Sequence, residues 1–291
     1  MIFLMLLFSG IRGMISVFIK MIQNTSLRNL KDTLVFIFTF SFFQAVFLFI
    51  MPPYERLVFS RPVYAYSLTF ALFYIMSYIM MIRAVSLGKT AITNIIFSFN
   101  FFVPIIIGTF LWNEKISIRQ IASIAIFTIS VLLFNLNALM ERRFKSGNTL
   151  KWLLLSCFAS IFIGMAGSVS KQYSIDMPGS AKEYLILYNL FVVTMAAPVI
   201  LLIKNKTYVS GERIRKFILM TAATAFMQNI MNLIFMYYVS RFESASFFPV
   251  IAILGIISTV TMTGIVLKEK HDIYSILGIL TSISAIIVLA V

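Results

Sequence analysis

Apolar stretches of about twenty residues recur along the whole chain, and short segments between them carry most of the charges. At about 1.5 Å per residue, a helix of that length crosses a hydrocarbon core of about 30 Å. The pattern predicts ten spans, at residues 1–23, 33–51, 62–83, 90–111, 117–136, 151–171, 184–203, 215–238, 244–267 and 273–290. These runs are too long and too uniformly apolar for barrel strands. We therefore expect an all-α, polytopic membrane protein.

The amino-acid composition is also typical of an integral membrane protein. Hydrophobic residues make up 60% of the 291 residues and charged residues 12%, and the mean hydropathy is +0.98. The net charge of +14 would suit a nucleic-acid-binding protein. However, the lysines and arginines lie mostly in loops and at span ends, where they set membrane orientation. The expected partners are therefore the lipid bilayer and a small-molecule substrate, with no nucleic acid. Whether the chain is a monomer or a homodimer stays open.

The first span matches the sixth. A shift of 151 residues aligns SGIRGMISVFIK with SIFIGMAGSVSK. In this alignment Gly13 meets Gly164, and Lys20 meets Lys171. Self-similarity at a fixed offset is typical of internal duplication.

A second match lies near the end of each half. A shift of 155 residues aligns NEKISIRQI with KEKHDIYSI, so that Glu114 meets Glu269. The halves 1–138 and 151–291 then hold five predicted spans each. Because five is odd, the second copy enters the membrane from the opposite side, as in many secondary transporters. The sequence therefore predicts ten transmembrane helices in two inverted five-helix repeats.

These features resemble a known family. They are the Gly followed seven residues later by Lys in the first span, the AVSLGKTA turn at 84–91, and the Glu that closes the fourth span. Together they resemble the EamA-type transporters of the drug/metabolite transporter superfamily. The resemblance covers essentially the whole chain. It implies a transporter of small metabolites, with a central cavity between two five-helix repeats, in the inner membrane of a bacterial cell.

The chain departs from the family pattern in the first span. Family members commonly have Trp ahead of the glycine and small polar residues after it. Here Arg12 precedes Gly13, and Met14 and Ile15 follow. No substrate is therefore carried over from characterised relatives.

Arg12 is the main candidate for a substrate contact. It lies about 16 Å into its helix, near the membrane midplane, where its charge costs at least about 2.5 kcal/mol and cannot be neutralised. Ser9, Arg12, Ser16, Lys20 and Gln23 recur every three or four residues, which places them on one helix face. We interpret Arg12 as the partner of a substrate carboxylate or phosphate. Two alternatives are satisfaction by groups of the bundle and snorkelling towards an interface.

Other polar residues recur at helical spacing within predicted spans. The candidate substrate-binding residues are Arg12, Ser16, Tyr74, Asn94, Gln228 and Asn232. For the amides, a role in joining neighbouring helices is an equal alternative. Lys20 and Lys171 lie nearer span ends, where we expect snorkelling anchors, with substrate ligands as the alternative. Glu114 and Glu269 follow span ends, where we expect them to fix turns.

The acidic residues favour an anionic over a cationic substrate. All ten fall in loops or at predicted helix ends. Small drug exporters of the superfamily that this chain resembles depend on a glutamate within the membrane, which exchanges protons for a cationic drug, and the pattern places no carboxylate there. There is also no HExxH, GxSxG or aspartate pair, so we expect neither an enzyme nor a metal or cofactor site.

The leading hypothesis is an exporter or exchanger, secondary active or facilitative. Its substrate would be a small polar metabolite with an acidic group, such as an amino acid or an organic or phosphorylated anion. The alternatives are a multidrug or cation efflux transporter and a non-transporting membrane scaffold.

Overall fold

The structure is a computed structural model that describes residues 2–27, 29–52, 57–87, 93, 96–134, 136, 149–203, 207, 212–268 and 273–290. Every regular element within these residues is helical, which confirms the all-α prediction. The helices are α1 Ile2–Ser26, α2 Leu30–Ile50, α3 Arg61–Leu87, α4 Phe102–Leu111, α5 Ile118–Phe134, α6 Thr149–Asp176, α7 Ala181–Leu202, α8 Glu212–Val239, α9 Ser244–Leu267 and α10 Ile273–Ala290. A 3-10 turn at Phe99–Phe101 leads into α4.

The helices include membrane-spanning lengths of apolar sequence. Across the described ranges, six helices are long and apolar enough to cross a membrane, namely α2, α3, α6, α7, α8 and α9. Three shorter apolar helical segments are Ile96–Leu111, Ile118–Phe134 and Ile273–Leu289. The chain is therefore an integral membrane protein, as predicted. The inverted-repeat relation between its halves stays a prediction.

The start of α2 shows how local chemistry fixes a helix end. Asn29 Oδ1 accepts a hydrogen bond from the Asp32 amide at 2.9 Å, and Asp32 Oδ2 accepts one from the Asn29 amide at 3.2 Å. This capping box satisfies two amides that no helical carbonyl can reach. The apolar pattern placed the start at residue 33, because Asn29 and Asp32 are polar and precede the apolar run.

The described chain divides into two compact units. Unit 1 comprises Met1–Ile75 and Val169–Ser240. It contains α1, α2, the first part of α3, the last part of α6, α7 and α8. Within it, α2 packs against both α7 and α8, and α1 packs against α8.

Unit 2 comprises Met76–Ser168 and Arg241–Val291. Within it, α5 packs against α10, and α9 packs against α4, α5 and α10. The contact of α5 with α10 uses small side chains. Ser123 Oγ donates to the Ala285 carbonyl, and Ser130 Oγ donates to the Gly278 carbonyl, both at 2.8 Å.

These packing units differ from the predicted repeats at 1–138 and 151–291. Each unit takes helices from both halves of the chain, because its boundaries fall inside α3 and α6. The repeats are defined by similarity between two parts of the sequence, whereas the units are defined by which residues lie close together in the structure. The repeats therefore stay a prediction beside the observed units.

Candidate functional site

The polar face of α1 is accessible along the helix. Arg12 and Gln23 are exposed, and Ser16 and Lys20 are partly exposed. Gly13 and Val17 are buried on one flank of this stripe, and Ile15 and Ile22 are buried on the other flank. The Ser16 hydroxyl donates to the Arg12 carbonyl one turn earlier, at 3.1 Å. The spacing of three and four thus places an accessible polar stripe between two lines of buried residues.

Two predicted amides on α8 form a polar chain with α7. Gln228 Nε2 donates to Asn232 Oδ1 at 2.8 Å, and Asn232 Nδ2 donates to the Tyr188 hydroxyl at 2.8 Å. Each amide orients the next, so the three side chains are held in defined rotamers. Tyr188 is 6% exposed and joins the two helices inside unit 1.

Tyr74 belongs to the same cluster through aromatic contacts. Its ring stacks on Phe70 with centroids 5.8 Å apart, and Phe70 lies 4.4 Å from the ring of Tyr188. The structure therefore brings Tyr74, Gln228 and Asn232 together within unit 1. Arg12 and Ser16 lie in the same unit, on α1, which packs against α8.

Sequence reasoning missed Tyr188, although it connects the predicted residues. Tyr184 and Tyr188 are four residues apart on α7, so they lie on one helix face. Tyr184 is fully buried and stacks on Tyr173 at 4.3 Å. The sequence signal that could have identified Tyr188 was this pair of tyrosines, whose hydroxyls recur at helical spacing within an apolar span.

Acidic side chains with described positions lie at helix ends and in turns. Asp32 and Glu183 lie in first turns, Asp176 is the last residue of α6, and Glu243 is the N-cap of α9. Glu114 lies in the segment that joins α4 to α5. For the part of the chain that is described, no group of three or more His, Cys, Asp or Glu side chains is placed to hold a metal ion.

Glu114 caps the start of α9, a helix that is distant from it in sequence. Its Oε2 accepts a hydrogen bond from the Ser244 amide at 2.7 Å, at the start of α9. The N-cap residue Glu243 makes no side-chain cap there. A carboxylate at a helix N-terminus also gains from the helix dipole. A Cβ at Gly108 would collide with Glu114 Oε2, so the small residue lets the carboxylate reach α9.

Gly164 permits a close helix approach in unit 2. A Cβ at this position would lie 2.5 Å from the Asn100 carbonyl oxygen and 2.5 Å from Val103 Cβ. Real Cβ atoms do not approach backbone so closely, so only glycine fits without movement of the turn. Its predicted counterpart Gly13 is buried in α1.

Lys171 does not act as the predicted anchor at the membrane surface. The side chain is 2% exposed and lies within unit 1. The expectation was wrong because distance from a span end says nothing about which face of the helix is packed. Lys20, by contrast, is partly exposed. The predicted positions Asn94 and Glu269 lie outside the described side chains.

Comparison with known proteins supports the fold. No protein-family model matches the sequence, and no curated protein matches it. Among solved structures, 28 chains match. One is a protein of known crystal structure that aligns with a TM-score of 0.73 and 10% sequence identity, over 97% of this chain and 95% of its own. At that identity the likeness shows a shared fold over nearly the whole length of both chains.

Proposed function

We propose that the chain is an EamA-type transporter of the drug/metabolite transporter superfamily, which exports or exchanges a small polar metabolite with an acidic group across a bacterial inner membrane. Amino acids and organic or phosphorylated anions belong to this substrate class. The observation that carries the proposal is the accessible polar stripe of α1, which contains Arg12 and is flanked by buried residues.

Arg12 is suited to bind the acidic group of the substrate. Its guanidinium is a permanent cation with a planar fork of donors that matches a carboxylate or phosphate. At about 16 Å into a membrane helix, exposure to lipid would be costly, so an exposed arginine there favours contact with water or with a polar ligand.

The amides of α8 are suited to orient the rest of the substrate. Gln228, Asn232 and Tyr188 form a polar chain on elements of the same unit. Because carboxamides both donate and accept hydrogen bonds, Gln228 and Asn232 can bind polar groups of either kind. The described acidic residues lie at helix ends, which favours an anionic substrate over a cationic one.

Transport by purified protein in liposomes tests this proposal. We expect Arg12→Ala to abolish uptake of the transported anion and Arg12→Lys to restore only part of it, because an ammonium lacks the planar fork. Gln23→Ala is the matched control, since Gln23 is exposed on the same face near the helix end. It should leave uptake unchanged.

A thermal-shift screen against metabolite anions and amino acids identifies the substrate. A ligand at one hundred times its Kd stabilises the folded protein by about 2.7 kcal/mol. Wild-type protein should show a shift that the Arg12→Ala protein lacks. Equal transport and equal shifts in a folded Arg12→Ala protein would reject Arg12 as the substrate contact.

A further inference from the structure

Three mid-helix carboxamides in unit 1 are buried with unsatisfied polar atoms. Gln44 on α2 is 2% exposed, and Asn189 on α7 and Asn229 on α8 are fully buried. Gln44 Nε2, Asn189 Oδ1 and Asn229 Oδ1 have no hydrogen-bond partner. Leaving such an atom unsatisfied in a helix contact is costly, so buried polar groups in proteins are nearly always paired.

The orientation of two of these amides is fixed by their other atom. Asn189 Nδ2 donates to the Leu185 carbonyl at 2.7 Å, and Asn229 Nδ2 donates to the Gln44 carbonyl at 2.9 Å. If the oxygen and nitrogen of either amide were exchanged, the side-chain oxygen would face the backbone carbonyl oxygen that now accepts the hydrogen bond. Both asparagines therefore present an acceptor, whereas Gln44 presents an N–H donor.

Two contacts between α2 and α7 set the depth of Gln44 and Asn189. Lys31 Nζ donates to the Ile203 carbonyl at 2.9 Å, and Lys182 Nζ donates to the Met51 carbonyl at 2.6 Å. The two helices are therefore antiparallel. Gln44 and Asn189 are each seven residues from the Met51–Lys182 end, and are thirteen and fourteen residues from the Lys31–Ile203 end. They consequently lie at the same depth.

Asn229 lies at this depth as well. Its direct hydrogen bond to the Gln44 backbone places it beside α2 at that residue. On the α7 side, the hydrogen bond of Asn232 to Tyr188 brings the neighbouring turns of α8 and α7 together. The residues that carry the unsatisfied donor and the two unsatisfied acceptors therefore lie at one depth, on the three packed helices α2, α7 and α8.

We propose that a buried water molecule links Gln44, Asn189 and Asn229 at this junction. It would accept a hydrogen bond from Gln44 Nε2 and donate its two protons to Asn189 Oδ1 and Asn229 Oδ1. Buried waters typically make about three hydrogen bonds to otherwise unsatisfied groups. The unsatisfied donor needs one acceptor, and the two unsatisfied acceptors need two donors. One water molecule provides all three hydrogen bonds.

A monovalent cation fits this set less well. A cation needs oxygen ligands all round, and the Gln44 N–H is turned to the junction. No carboxylate among the described side chains lies mid-helix to balance its charge. The water is independent of the proposed transport function, since it completes the contact of three helices whether or not a substrate is bound.

Coupling between the amides tests the water in purified protein. Gln44→Met and Asn189→Leu each keep side-chain size and remove one hydrogen-bonding group. Through a shared water, the double variant should melt within about 2 °C of the less stable single variant, because the second change removes a contact already lost. Thr221→Val is the control. It lies eight residues from Asn229 on α8, and its effect should add to that of Asn189→Leu.

A second variant keeps the test decisive if Asn189→Leu does not fold. Asn189→Ser retains an acceptor and leaves space, so it should fold and lose less stability than Asn189→Ala. Additive melting shifts for Gln44 and Asn189 would overturn the shared water. A sodium-specific effect would also overturn it. In that case the melting temperature would rise with NaCl but not with choline chloride at equal ionic strength, and Asn189→Leu would abolish the rise. Such a result would assign the junction to a cation.

An experimental structure at a resolution that shows ordered waters gives the direct result. We expect a density peak within hydrogen-bonding distance of Gln44 Nε2, Asn189 Oδ1 and Asn229 Oδ1. A direct hydrogen bond from Gln44 to either asparagine, with no peak between the three atoms, would overturn the proposal.

Discussion

Ser130 in unit 2 and Asn229 in unit 1 are both fully buried at helix contacts, yet their surroundings differ. Ser130 Oγ donates to the Gly278 carbonyl at 2.8 Å and also contacts Ser282 Oγ at 2.5 Å. Asn229 satisfies its nitrogen and leaves its oxygen without a partner. Every unsatisfied buried side-chain atom found in the described residues belongs to unit 1: Gln44 Nε2, Ser60 Oγ, Asn189 Oδ1, Thr221 Oγ1 and Asn229 Oδ1.

The two units differ in the types of polar side chain that they bury between helices. Unit 2 packs with small residues, so that backbones approach closely and short hydroxyls reach carbonyls on the next helix. Unit 1 also buries three amides, Gln44, Asn189 and Asn229, each of which has one polar atom that its helices do not satisfy. We expect substitutions in unit 2 to act mainly on stability, and substitutions of Arg12, Gln228 and Asn232 in unit 1 to act mainly on binding and transport.

Gly164→Ala should give the largest loss of stability. The added Cβ would lie 2.5 Å from the Asn100 backbone oxygen, so the turn or α6 must move. We expect the free energy of unfolding to fall by about 3 kcal/mol, as for other overpacked sites. Denaturation in mixed micelles measures it.

Gly10→Ala is the matched control for this substitution. Gly10 is also helical, and a Cβ there meets nothing within 4 Å. Because alanine is the better helix former, stability should be unchanged or slightly higher. Similar losses at Gly10 and Gly164 would contradict the close approach in unit 2.

Glu114→Ala should give the next largest loss. It removes both the hydrogen bond to the Ser244 amide and the charge at the start of α9. We expect about 1.5 kcal/mol less stability, whereas Glu114→Gln should retain most of it because the amide oxygen can still accept. Lys115→Ala, at the exposed neighbouring position, is the control. An equal loss for Glu114→Ala and Lys115→Ala would refute the cap.

The sequence predicted the helices well because the bilayer sets their length. The predicted spans 244–267 and 273–290 have the same bounds as α9 and α10. The match with Gly13 singled out Gly164, and a glycine in a membrane helix permits the close approach that the structure shows there. These features depend on residue type and local spacing alone.

The faces of the helices were harder to predict. Lys171 lies near a span end, but it is buried because its face of α6 is packed. Gln44, Asn189 and Asn229 are far apart in sequence, and only the antiparallel register of α2 and α7 brings them to one depth. In an apolar span hydrophobicity is nearly uniform around the helix, so no periodicity marks the packed side.

Ser130→Ala tests the serine contacts of unit 2 at a smaller scale. The change removes the hydrogen bond to the Gly278 carbonyl and the contact with Ser282. We expect a loss of about 1 kcal/mol, within the range of interhelical hydrogen bonds in membranes. Ser284→Ala is the control because Ser284 is exposed on α10 and bonds within its own helix. Its stability should not change, and an equal loss at both serines would show that the α5–α10 contact contributes nothing special.

Asn232→Leu should have the smallest effect on stability and a clear effect on transport. It removes the link from Gln228 to Tyr188, which we expect to be worth about 0.6 kcal/mol. If Asn232 also bonds the substrate, transport at low substrate concentration should fall about tenfold, equivalent to about 1.4 kcal/mol of binding. Tyr188→Phe is the control that separates the two roles, since it breaks the same interhelical bond and leaves the Asn232 amide in place. Equal transport by Asn232→Leu and Tyr188→Phe would mean that the amide only joins helices. Unit 1 would then share the structural role of unit 2 at that position.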